Sequence, residues 1–150
     1  MQKIRIVFTK RKLSVVSLLI RWALPRSRFA MARSSHSIVV DGDFMIEATM
    51  LHGVRRERAE VIMKGQTVVR VVEYQVPDAE AGLAWARDQV GRPYDFRGAF
   101  GLALSPGRDW MEPDRWFCYE LVAATLAAAG RDVFANTGHI TEAPLLAIKP

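Results

Sequence analysis

The chain has 150 residues, half of them hydrophobic and a quarter charged, which suits a single globular domain with one sizeable core. The absence of repeats and low-complexity tracts excludes a solenoid or a disordered chain. The single cysteine, Cys118, excludes a disulfide framework and a cysteine-rich zinc site. The net charge is +5, and much of the excess is N-terminal. Lys3, Arg5, Lys10, Arg11, Lys12, Arg21, Arg26, Arg28 and Arg33 all precede the first acidic residue, Asp41. A segment of one sign suits peripheral contact with an anionic surface. It carries no nucleic-acid reading motif, so no specific nucleic-acid partner is expected.

Taken in chain order, Ile4 to Phe8 alternates apolar and other residues and predicts a strand. Ser14 to Leu24 has Val15, Leu18, Leu19 and Trp22 at helical spacing, with Pro25 as the stop. The apolar run within it is interrupted by Arg21 and preceded by a strand pattern, which reads against a secretory signal. It is also too short to span a membrane as a helix. A cytoplasmic rather than secreted protein is therefore expected.

Ile38-Val39-Val40 predicts a short strand, Asp41-Gly42-Asp43 a hairpin turn, and Phe44 to Ala48 the returning strand. Gly53-Val54 opens a further element. Glu60 to Met63 and Thr67 to Tyr74 are read as two more strands. Pro77-Asp78 opens a helix to about Val90, with Asp78 as its cap. Gly91-Arg92-Pro93-Tyr94-Asp95 breaks that helix, and a loop runs on through Pro113-Asp114. A second helix starts at Cys118 and stops at Gly130. The remainder, from Arg131, is predicted to be irregular with a short terminal strand. These elements predict one α+β domain over residues 1–150, with a small, mostly antiparallel sheet packed with helices.

Cys118 stands in Trp116-Phe117-Cys118-Tyr119-Glu120-Leu121, at the start of its helix. The positive end of a helix dipole favours thiolate over thiol, and thiolate is the nucleophile. Catalysis by such a group needs a base and a third residue to orient the base. His36 lies at the head of a strand, a rigid mounting. Glu47 lies on the returning strand of the same hairpin, where it can accept from the far ring nitrogen of His36. His52 and His139 fall in loops. Three histidines without ligand-like pair spacing do not predict a metal site, and no cofactor is expected.

The run Arg33-Ser34-Ser35-His36-Ser37-Ile38-Val39-Val40-Asp41-Gly42, then Met45-Ile46-Glu47-Ala48-Thr49 and Gly53-Val54, resembles the histidine half of the circularly permuted NlpC/P60 proteins. Gly91-Arg92-Pro93-Tyr94-Asp95-Phe96-Arg97-Gly98, with Phe117-Cys118-Tyr119-Glu120-Leu121-Val122, resembles the cysteine half. The likeness runs from about Ile4 to Gly130. It implies a papain-like fold and a cysteine hydrolase with Cys118 as nucleophile, His36 as base and Glu47 as orienting residue. Tyr94 matches the family's tyrosine beside the cysteine, on the oxyanion side. Tyr119 departs from the family, where serine is common, and its bulk would narrow or redirect the substrate cleft.

The resemblance implies a peptide substrate, including a cell-wall peptide, cleaved at an amide bond through an acyl-enzyme. Two alternatives stay open. One is a hydrolase or acyltransferase acting on acyl lipids. The other is a non-catalytic structural or phage-associated module on the same fold. The sequence does not set the oligomeric state.

Overall fold

A computed structural model describes residues 1–11, 34–97, 114–134, 140 and 142–148. The helix read over Ser14 to Leu24, together with Trp22, Trp110 and His139, lies outside the described residues. The five strands are β1 (Gln2–Arg11), β2 (His36–Asp41), β3 (Phe44–Thr49), β4 (Gly53–Arg58) and β5 (Gln66–Val76). They form one antiparallel sheet in the order β4-β3-β2-β1-β5. The described helices are α1 (Ala59–Ile62), α2 (Ala79–Asp88), α3 (Cys118–Ala128) and α4 (Glu142–Ala147).

The α+β class and the antiparallel sheet follow from alternation in the strands. Ile4, Ile6 and Phe8 of β1 point into the main core, where they meet Val39, Ile46, Tyr74 and Val76. Helix α3 supplies Leu121, Val122 and Leu126 to the same core. Burying each such aliphatic side chain is worth about 1.5–3 kcal/mol. Val7 faces the other way, into a small cluster with Ile38, Met45 and Ile62.

Two predicted strands are helices instead. Glu60 to Ile62 fall in α1, which Met63 caps, a single turn after β4 that lays Ile62 over Val7, Ile38 and Met45. Here the β-branched pair Val61-Ile62 suggested extension, but closing the small cluster selects a turn. The terminal strand expected after Arg131 is replaced, among the described residues, by α4. Pro144 sits in its first turn, where a missing N–H breaks no helical hydrogen bond.

Helix α2 begins as read: Asp78 Oδ1 accepts from Ala81 N–H at 3.1 Å. Gly82 lets it press against α3, because a Cβ there would lie 2.7 Å from the Thr125 carbonyl oxygen. Helix α3 begins at Cys118, and Gly130 follows it with φ +85°. That left-handed conformation is the one glycine adopts without strain.

Candidate active site at the start of helix α3

Three elements converge at the end of the sheet where β2 begins. The hairpin register pairs Val39 with Ile46 and Asp41 with Phe44. It brings His36, at the first position of β2, diagonally toward Glu47 on β3. His36 Nε2 and Glu47 Oε2 lie 2.6 Å apart. The Glu47 side chain is 1% exposed and that of His36 is 16% exposed. With Nε2 engaged, Nδ1 is the ring nitrogen left for a second partner. Cys118 lies close enough to act on His36, and its charge favours the protonated ring.

Electrostatics at this point favour the imidazolium. Burial pulls the His36 pKa down, but Cys118 and Glu47, through their proximity and their charges, outweigh it. The value rises from 6.5 to about 9. Glu47 shows the complement. Burial pushes its carboxyl up, but His36 and Arg55 more than offset this and hold it below the ordinary carboxylate value.

Arg55 is a member that the sequence reading missed. It stands directly opposite Glu47 in the β3–β4 register. Its Nε and Nη2 donate to Glu47 Oε1 at 2.8 and 2.6 Å. The sequence signal was available: alternation through Gly53-Val54-Arg55 places Val54 in the core and Arg55 on the opposite face.

Cys118 is the first residue of α3, so its N–H has no acceptor inside the helix. Glu120 Oε2 accepts from Phe117 N–H at 3.5 Å, which closes the preceding turn. Glu120 also puts negative charge in the first turn, the favourable end of the dipole.

Tyr94 reaches the site by a tether. Gly53 has φ +63°, and a Cβ there would lie 2.3 Å from the Arg92 carbonyl oxygen. Only glycine permits that approach, which lets Val54 N–H donate to Arg92 O at 2.8 Å and Gly91 N–H to Val54 O at 2.9 Å. The tethered turn continues into a bridge between Tyr94 and Trp116. Burial and the neighbouring Cys118 charge raise the Tyr94 hydroxyl pKa far above its usual 10. Tyr94 therefore stays protonated and able to donate.

Tyr119 is buried, and its hydroxyl is directed to Ser34. It donates to the Ser34 carbonyl at 3.2 Å, and Ser34 Oγ lies at the same distance. Ser34 in turn donates through Oγ to Glu142 Oε1 at 2.7 Å, and its N–H faces both Glu142 oxygens. Burial and the Cys118 charge again raise the hydroxyl's pKa. The structure thus brings Cys118, His36, Glu47, Tyr94 and Tyr119 together, and Tyr119 binds the backbone two residues before His36. His52 is exposed on the β3–β4 connection, where its backbone N–H donates to Thr49 Oγ1 at 3.2 Å.

Among the described residues, no cluster of His, Cys, Asp and Glu could hold a metal ion. No described helix is long and apolar enough to cross a membrane. Comparison with protein-family models, curated proteins and solved structures yields no match.

Proposed function

We propose that this chain is a papain-like cysteine hydrolase that cleaves an amide bond in a peptide, with cell-wall peptides among its substrates. One observation carries the reading. A histidine held at 2.6 Å by a buried carboxylate is electrostatically coupled to the only cysteine, and that cysteine opens a helix. The order of its motifs along the chain adds the likeness to permuted NlpC/P60 proteins.

In the proposed reaction the Cys118 thiolate attacks the amide carbonyl, forming a C–S bond and an oxyanion. The Cys118 N–H and the protonated Tyr94 hydroxyl are the donors suited to that oxyanion. The His36 imidazolium gives its proton to the leaving amine as the C–N bond breaks. His36, now neutral, then takes a proton from water, whose oxygen attacks the thioester. The acid leaves, and the thiolate and imidazolium are restored. Glu47 keeps the ring in one tautomer and one orientation throughout.

The test is alkylation of Cys118 by iodoacetamide across pH, followed by mass spectrometry of acyl-enzyme formed from peptide esters. The expected result is fast labelling of the folded chain at pH 6, lost in His36→Ala. Labelling only in alkali, or only after unfolding, sinks the reading in favour of a non-catalytic module. An acyl-enzyme formed from acyl lipids and not from peptide esters moves the substrate class to lipids.

A further inference from the structure

The proposed cycle sets a problem at Glu47. When His36 hands its proton to the leaving amine, the nearest cation to Glu47 Oε2 disappears. A buried carboxylate left without a counter-ion is strongly disfavoured, by several kcal/mol even after relaxation. A carboxylate in that position would hold the proton on His36 and slow its release.

Arg55 answers this on geometry. Its guanidinium forks onto Glu47 Oε1 through two donors, at 2.8 and 2.6 Å. Among the described residues, that leaves Oε2 to His36, at 2.6 Å. The fork is fixed by the register, because Arg55 and Glu47 are direct cross-strand partners. A guanidinium does not deprotonate in proteins, so its charge persists in every protonation state of His36. We propose that Arg55 is a positioning residue of this site, a permanent counter-ion that keeps Glu47 ionised and in place while His36 gives up its proton. This rests on the reading of His36 as the proton-carrying base.

The proposal makes a signed prediction. With Arg55 gone, the His36 imidazolium becomes the only cation on Glu47 among the described residues, so His36 should hold its proton to higher pH. A scaffolding role predicts the opposite: Glu47 drifts off and His36 returns toward 6.5. The groups that face His36 are Cys118 from α3 and Glu47 from β3, with Arg55 of β4 acting through Glu47.

The experiment is an NMR titration of His36 in the full chain carrying Cys118→Ser, where no thiol titrates with it. The His36 midpoint in Arg55→Met is expected to move up by about 1 pH unit from the Cys118→Ser parent. In Arg55→Lys, which keeps the charge, it should stay within about 0.3 unit. In a Glu47→Gln background, Arg55→Met should move nothing, because the coupling passes through Glu47. A midpoint that is unchanged or lowered in Arg55→Met overturns the proposal, as does a shift that persists with Glu47→Gln. Should Arg55→Met not fold, Arg55→Lys decides, and a shift of about 1 unit in that variant also overturns it. The titration needs no turnover. A Cys118 that fails to alkylate in the native chain would remove the hydrolase reading while this result stood or fell by itself.

Discussion

Two buried carboxylates on the same hairpin, Asp41 and Glu47, are each gripped by arginine, and their second partners differ. Asp41 is held by Arg56 Nε at 2.6 Å and by Arg87, whose Nε and Nη2 donate at 3.0 and 2.6 Å. Arg87 also reaches Glu80 at 2.5 Å, and Arg56 lies over the Phe44 ring at 3.9 Å. Every cation in that cluster is permanent. Glu47 has one permanent cation, Arg55, and one partner that titrates, His36, which leads on to a thiol. Arg55 and Arg56 are neighbours in β4, so alternation sends them to opposite faces of the sheet. The first cluster clamps β2, β4 and α2 together. The second ties β2, β3 and β4 together through a partner that titrates. A titratable partner beside a nucleophile, rather than charge or burial as such, is what separates a candidate site from scaffold.

The sharpest way to break this comparison is to remove one chemical group from the second cluster. Cys118→Ser or His36→Ala should lower turnover of a peptide ester by about 10⁴-fold or more, as loss of one member of a working triad does. Far-UV circular dichroism and the melting curve should show the fold intact. Retained turnover in Cys118→Ser would end the thiol mechanism outright.

The matching change in the first cluster is Asp41→Asn. It leaves Arg56 and Arg87 without their buried anion and should cost about 3–5 kcal/mol of stability, read by urea unfolding. Alkylation of Cys118 in the molecules that remain folded should be unchanged. If Asp41→Asn slows alkylation of folded protein, the two clusters are coupled and the separation drawn here is wrong.

Gly53→Ala comes next in size. The new Cβ would meet the Arg92 carbonyl oxygen at 2.3 Å, at a residue with φ +63°. About 2 kcal/mol of destabilisation is expected from the backbone conformation and the clash together. The turn that carries Tyr94 would loosen with it, so turnover should fall further than stability alone explains. Equal melting temperatures for Gly53→Ala and the parent chain would show that the tether is slack.

How far the sequence revealed this site depends on which contacts its pattern can encode. Alternation in Ile4 to Phe8 and the turn Asp41-Gly42-Asp43 placed β1 and the β2–β3 hairpin, because period and turn chemistry are local. Cys118, His36 and Glu47 were legible for the same reason: each sits at a recognisable position on its own element. For Arg55 alternation gives only the face it points to; its pairing with Glu47 depends on the register between β3 and β4, which is a tertiary fact. The single turn α1 was misread as a strand, since Val61 and Ile62 favour extension until the need to cover Val7 and Ile38 decides otherwise. The direction of Tyr119 also escaped the sequence. Its partner Ser34 lies 85 residues away along the chain, and Ser34 is held in turn by Glu142, 108 residues from it.

The pH dependence of stability separates the clusters without any substrate. Asp41 and Glu47 are both lowered in the folded chain, so each contributes stability above its unfolded pKa that is lost as pH falls through its folded value. The acid limb, below about pH 4.5, therefore belongs to both clusters. His36 is raised from 6.5 to about 9, so its contribution is complete below 6.5 and disappears as pH rises through about 9. Among the described residues Asp41 is paired with arginines, so of the two clusters the alkaline limb belongs to the second. Chemical denaturation from pH 6 to 10 should show a decline in the parent chain that His36→Asn flattens and Asp41→Asn leaves in place. The same decline in both variants would mean that another group is titrating.

The smallest expected effect tests the link from Tyr119 to the strand that bears His36. Tyr119→Phe deletes one hydroxyl and leaves the ring against Phe117, with centroids 6.5 Å apart. It frees the Ser34 carbonyl, while Glu142 still holds Ser34 through Oγ and N–H. A loss of about 1 kcal/mol is expected, the usual worth of a single buried hydrogen bond. If the hydroxyl serves only this anchor, KM for a peptide ester should stay constant while kcat drops a few-fold as His36 loses definition. If the ring or hydroxyl also meets substrate, KM should change and the stability loss should remain the same. Either outcome tells whether Tyr119 works as a wall of a substrate site or as a peg behind the strand that bears His36.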